Sequence, residues 1–177
     1  MSQKIDDAVD EAIWRRCGEI GEAIREDLGL GFEMCESPIE EIMLVRLASI
    51  RITCLRRAGC GLHQIDVGFP SEMYDPSCLL IRPQVEIGKY RADFVLSFPD
   101  ASGRHTDIVV ECDGHDFHEK TKEQASRDKA RDRFFAGLGI PVFRFTGSEI
   151  YAGRDYLLED LGRSIRSRVM PQIGNGR

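Results

Sequence analysis

The sequence predicts an α/β fold, a mixed four-stranded sheet with helices packed on it. Three features point there. Two runs rich in β-forming residues, 79–87 and 90–98, flank Gly88-Lys89, which marks a two-residue hairpin and so an antiparallel pair. A third, largely apolar run, 107–112 (DIVVEC), follows the turn-forming stretch PDASGRH and fits a central strand. A fourth, 140–145, comes only after a long helical stretch, 120–138. A helix of that length between two strands makes a crossover and joins a parallel pair.

The remaining elements follow in chain order. Residues 5–28 carry apolar side chains at helical spacing (Ile5, Val9, Ile13, Cys17, Ile20, Ile24), with Gly29 and Gly31 expected to end that helix. Ser37, Pro38 and Glu40 then read as an N-cap, a first helical residue and the far end of a capping box. The helix they open should run from 38 to about 58, with Ile39, Ile42, Met43, Leu47, Ile50 and Leu55 inward and Gly59 after its end. Residues 60–77 read as irregular. Gly139 closes the crossover helix. Ser148 is expected to cap a last helix reaching about Val169. The domain plan is an acidic helical extension over 1–36, one α/β domain over 37–170 and a flexible tail over 171–177.

Composition excludes several function classes. The chain has 177 residues, enough for one domain with a real core, and its 31% charged residues are of mixed sign, which rules out global disorder. No apolar run is long enough to span a bilayer, so no membrane partner is expected. The first residues, MSQKIDDAVDEAIW, have neither the basic nor the apolar region of a secretory signal. Six scattered cysteines without such a signal read as reduced thiols in a cytoplasmic protein. Cys54, Cys60, His63 and Cys78 form C-x5-C-x2-H-x14-C, a spacing too loose to call for structural zinc. The net charge of −6 is unevenly placed. Residues 1–41 hold twelve acidic and four basic side chains, which leaves the rest near neutral. Within that rest, Lys120, Lys122, Arg127, Lys129, Arg131 and Arg133 form a basic cluster interleaved with acids. The cluster is either a solvated helix face or a surface that meets phosphate. Trp14, on the amphipathic N-terminal helix, could anchor a protein partner or a second copy.

Reactive side chains gather on two strands. Asp93 sits inside the apolar run YRADFVLSF, Glu111 ends the run IVVEC, and Asp113 lies two residues further on the same side of its strand. Pairing of these strands would bring three carboxylates to one end of the sheet. Like charges so placed repel unless a cation sits among them, and oxygen ligands suit Mg²⁺ or Mn²⁺. Arg144, inside the apolar run VFRF, needs a carboxylate or a phosphate as partner.

In order and spacing, SPIEE, YRADFVL, VVECDGHDFHEKT and SRDKARDRFFAGLGIPVFRFTGSEI resemble the very-short-patch-repair-like branch of the PD-(D/E)XK nuclease superfamily, over about residues 37–150. The resemblance implies a restriction-endonuclease-like αβββαβ core and metal-dependent hydrolysis of phosphodiesters. It implies that Asp93 and Glu111 are the two metal-binding carboxylates, with Asp113 beside them, and that Glu40 completes the site. It also implies that the Asp128-x-x-Arg131 stripe faces the site, although surface pairing at i,i+4 would explain the same spacing. Asp113 stands where the superfamily motif has Lys. Lys120, Lys122, His115 and His118 are candidates to fill the cationic role, and Gln84 on the preceding strand could instead orient a water. His118 could also protonate a leaving oxygen. Lys120, Lys122, Arg127, Arg131 and Arg144 are the expected nucleic-acid contacts. The expected function is a Mg²⁺- or Mn²⁺-dependent endonuclease acting on DNA. The rival is a nuclease-fold adaptor that binds nucleic acid or protein without cutting.

Overall fold

A computed structural model describes residues 28–50, 65–68, 78–114, 122–152 and 157–169, without the side chains of 65, 66 and 122–125. The expected N-terminal helix with Trp14, the zinc candidates Cys54, Cys60 and His63, and His115, His118 and Lys120 lie outside the described residues.

The described chain begins with a short helix, α1 (Gly29–Met34), that sequence reading did not expect. Gly29 and Gly31 lie inside a helix rather than ending one. Gly31 is there for space: a Cβ on it would stand 2.6 Å from Val67 Cγ1 and 2.8 Å from Leu44 Cδ2. Helix α2 (Pro38–Ile50) starts where the capping box places it. The Glu40 N–H donates to Ser37 Oγ (3.3 Å), and Ser37 Oγ donates to Glu40 Oε1 (2.9 Å). Met43, Leu44, Leu47 and Ile50 share its buried face.

Among the described residues the sheet holds the four expected strands and a short fifth at its edge: β1 (Ile65–Val67), β2 (Leu79–Ile87), β3 (Tyr90–Pro99), β4 (His105–Asp113) and β5 (Val142–Thr146), in that spatial order. Strand β1 pairs parallel to β2 within the stretch read as irregular. Three residues are too few for an alternation signal, and Gly68 (φ +125°) follows immediately. Gly88, at φ +61°, turns the β2–β3 hairpin as its two-residue loop requires. β2–β3 and β3–β4 are antiparallel, and β4–β5 is parallel across the crossover helix α3 (Lys122–Gly137). The expected last helix is two: α4 (Gly147–Ala152) and α5 (Glu159–Val169). Thr146, not Ser148, caps α4, because its hydroxyl takes the Glu149 N–H (3.3 Å) while Glu149 Oε2 accepts the Thr146 N–H (2.8 Å).

The larger core lies between the sheet and α2, α4 and α5, around Phe94, Leu96, Phe98 and Val110. A smaller one on the other face joins Ala92, Val95 and Val109 to Phe135 of α3, with Tyr90 and Phe134 beside it. With the short edge strand β1 set aside, the order α2-β2-β3-β4-α3-β5 is the αβββαβ core that the resemblance implies, in a mixed sheet flanked by helices. No described helix is long and apolar enough to cross a membrane.

Candidate active site

The site is built on an interruption of the sheet. Leu79 and Ile81 of β2 face the larger core, but Val85 and Ile87 pack with the smaller one; on β3, Ala92 faces the smaller core while Phe94 and Leu96 face the larger. Side chains two apart in a regular strand share a face, so both strands change face at the same level. The residues at that level are Gln84 and Asp93. They stand opposite each other between the pairs Pro83↔Phe94 and Val85↔Ala92, and neither is part of the ladder. Gln84 has φ +51°, a left-handed conformation that re-aims the strand beyond it.

The interruption frees the Asp93 carboxylate for a backbone donor. Asp93 Oδ2 accepts the Cys112 N–H (2.7 Å), which ties β3 to β4 just past their last ladder pair, Phe94↔Val110. The next position on β4 is Glu111, which pairs with Arg144 on β5. Gln84, Asp93, Glu111 and Arg144 thus form one row across four strands. Hydrophobic patterning alone placed Asp93 and Glu111 on their strands, and the register brings them to adjacent strands.

Helix α3 supplies the counter-charges. Arg131 donates through Nη2 both to Glu111 Oε1 and to the Arg91 carbonyl (2.6 Å). Its guanidinium carbon lies 6.0 Å from the Tyr90 ring centre and 5.9 Å from that of Phe135. One residue on, Asp132 accepts from Arg144 (2.8 Å). The charged stripe of α3 therefore bonds across to the sheet through Arg131 and Asp132. Arg127 is exposed on the same helix. A groove of about 590 Å³ opens beside Arg144, with Ile140, Pro141, Val142 and Arg168 in its lining.

Glu40 closes the other side. Its Oε2 accepts the Glu36 N–H (2.8 Å) and the Gln84 side-chain amide (2.7 Å), while Oε1 takes the Ser37 hydroxyl. It is buried and engaged both as a cap and as an anchor for β2.

Burial and mutual repulsion dominate the electrostatics. Burial pushes the Asp93 carboxyl above the usual carboxylate range, and the charges of Glu40 and Asp113 push the same way, against the Cys112 N–H and Arg131. Glu111 is pushed up to about 7, by burial first and by Asp93 next, with Arg131 and Arg144 opposing. The Cys112 thiol is driven upward by burial and by Asp93, Glu40 and Glu111. Among the described residues no three His, Cys, Asp or Glu side chains come together as a ready-made metal cage. The donor set nevertheless suits a hard divalent ion: a buried carboxylate (Glu111) and a half-buried one (Asp93) that repel each other, with a buried, unpartnered amide oxygen of Gln84 at the same level of the sheet.

Sequence reading placed Asp93, Glu111, Asp113 and Glu40 in this neighbourhood and named Arg131 and Arg144. It missed that Arg131 would be the direct partner of Glu111 and that Gln84 would be strained. Nothing in residue type marks a left-handed glutamine within a strand.

The family model REase_MTES_1575, a restriction-endonuclease-like family, matches residues 77–165, just over half of the chain. The matched span holds Gln84, Asp93, Glu111, Arg131 and Arg144. The match supports the restriction-endonuclease-like superfamily and does not extend to its very-short-patch-repair-like branch. No curated protein and no solved structure matches the chain.

Proposed function

The chain belongs to the restriction-endonuclease-like family, and from that premise we propose that it is a divalent-metal-dependent endonuclease that hydrolyses phosphodiester bonds in DNA. The observation that carries this reading is the placement of Asp93 and Glu111 on adjacent strands, both buried enough that their charged forms are disfavoured. Asp93 and Glu111 would hold Mg²⁺ or Mn²⁺, with Asp113 close by. Such an ion, when bound, polarises a phosphoryl oxygen and lowers the pKa of a water.

The chain's own residues have separate parts in this reading. The Cys112 N–H fixes the Asp93 carboxylate in place. Arg131 holds Glu111 in one orientation and keeps a permanent positive charge at the site, where Asp113 stands in place of the superfamily's lysine. Arg144, backed by Asp132 and bordering the groove, faces a substrate phosphate, and exposed Arg127 on α3 offers a second basic contact. His118 serves as the acid for the leaving oxygen.

A second reading has one observation in its favour. Arg131 already neutralises Glu111, which an adaptor with the nuclease fold and no bound ion would also need. Nicking of supercoiled plasmid with Mg²⁺ or Mn²⁺ separates the two. The endonuclease cuts, and Asp93→Asn, Glu111→Gln and EDTA each abolish cutting. An adaptor binds nucleic acid equally well with either substitution and cuts nothing.

A further inference from the structure

Two unfavourable features meet at Gln84. Its φ of +51° costs a residue other than glycine about 1–2 kcal/mol. Its side-chain oxygen, Oε1, is buried and has no hydrogen-bond partner. The orientation of the amide is not arbitrary. The Glu40 carboxylate only accepts, so the NH₂ group must face it (2.7 Å), and Oε1 is turned away from it. A glycine would make the same backbone turn without strain. A side chain needed only to satisfy Glu40 would not have to bury an unpaired acceptor. The oxygen belongs to the residue opposite Asp93, in the row that continues to Glu111.

Hard divalent ions take neutral amide oxygens alongside carboxylates. With two carboxylates in the row, a neutral oxygen adds a ligand without adding repulsion. We propose that Oε1 of Gln84 is a ligand oxygen of the cation site formed with Asp93 and Glu111, and that Glu40 is a positioning residue that holds the amide with this oxygen forward. The inference rests on the cation-dependent reading of the site and adds to it a residue outside the two motif carboxylates.

The test is Mn²⁺ affinity of the full chain without nucleic acid, measured by the electron paramagnetic resonance of the free ion. Gln84→Met removes the oxygen. Gln84→Gly removes it and accepts φ +51° freely, and the far-ultraviolet circular dichroism of each variant checks that it keeps the fold. Both should bind Mn²⁺ at least about tenfold more weakly, since even the loss of a group that only orients a ligand costs that much. Gln84→Glu should bind at least as tightly as wild type, although it sets two carboxylates together in the metal-free chain. A purely structural bond to Glu40 predicts the opposite, with Gln84→Glu the poorest binder, and that result overturns the proposal. Wild-type affinity in the Met and Gly variants, alongside lost affinity in Asp93→Asn, also overturns it while leaving the cation site intact. A wild-type chain that binds no Mn²⁺, or an Asp93→Asn variant that binds as wild type does, overturns the site reading and the proposal together.

Discussion

Arg131 of α3 and Glu111 of β4 form a largely buried ion pair, with 23% and 6% of their side chains exposed. Removing the arginine leaves a carboxylate in low-dielectric surroundings beside Asp93, and removing one partner of a buried pair costs more than the pair contributes. Arg131→Met should therefore lower stability by about 2–3 kcal/mol, somewhat below the fully buried case because the arginine is partly solvated. Asp132→Ala, which breaks the more exposed pair with Arg144, should cost at most about 1 kcal/mol. Urea unfolding of both variants checks the ranking, and equal losses would refute it.

Glu111 also sets a pH dependence. Its carboxyl is pushed up to about 7 in the folded chain, so folding favours the neutral form. That stabilisation is complete below the ordinary value of 4.5 and is lost as pH rises through about 7. Asp93 is shifted in the same direction. In EDTA, stability should fall between about pH 5 and about pH 8, by on the order of 2 kcal/mol more in wild type than in Glu111→Gln. Parallel stability curves for the two proteins would contradict this. Added Mg²⁺ should recover most of the loss at the higher pH in wild type alone.

Two glycines of α1 make a paired test of close packing. A methyl group on Gly31 meets Val67 and Leu44 inside 3 Å, whereas one on Gly29 meets nothing within 4 Å. Gly31→Ala should destabilise by about 1–3 kcal/mol. Gly29→Ala should be neutral or stabilising by up to about 1 kcal/mol, because it only reduces the freedom of the unfolded chain. Thermal melts of the two variants should move in different directions, or only the Gly31 variant should move.

The described thiols beside the carboxylates should be inert. Burial, then the charges of Glu40, Glu41 and Asp93, pushes Cys35 up to about 12, and Cys112 is raised by burial and the same acidic neighbourhood. A thiol reacts through its thiolate. Brief iodoacetamide treatment of the native chain near pH 8, followed by peptide mapping, should leave Cys35 and Cys112 unmodified, and denaturant should expose both. Native labelling at Cys112 would mean that the carboxylate row opens to solvent.

Much of this architecture was legible because it rests on signals local in sequence. Ser37, Pro38 and Glu40 announce the start of α2, Gly88-Lys89 announces the hairpin, and the apolar runs around Asp93 and Glu111 announce their strands. What was not legible depends on contacts between distant segments. Gly31 looks like a helix stop until Val67 and Leu44 are seen against it. Strand β1 is too short to carry a pattern and exists through its pairing with β2. Thr146 and Ser148 are both plausible caps, and only Glu149, three residues after Thr146, decides between them. At the site, spacing could place Arg131 and Asp132 on α3. It could not show that they would bond to Glu111 and Arg144 of the sheet rather than along the helix.

Glu40 is the residue where a local and a functional explanation compete, and the two separate by measurement. Its carboxylate receives three hydrogen bonds, from the Glu36 N–H, the Ser37 hydroxyl and the Gln84 amide, so most of its accepting capacity is used within the fold. Glu40→Ala removes half of a capping box, about 1 kcal/mol, and leaves the half-buried Gln84 amide donor unpaired, about 1–2 kcal/mol more. The total should be about 2–3 kcal/mol, against less than about 0.5 kcal/mol for Glu41→Ala on the exposed side of the same turn. Glu40→Gln gives up one charge-assisted bond but keeps the shape, so it should lose less than half as much stability as Glu40→Ala. If Glu40 acted only on the chemistry, neither variant would move the urea midpoint and both would stop plasmid nicking. A large stability loss in Glu40→Ala, with nicking retained in Glu40→Gln, would make it the strut that holds Gln84 and the start of α2 in place.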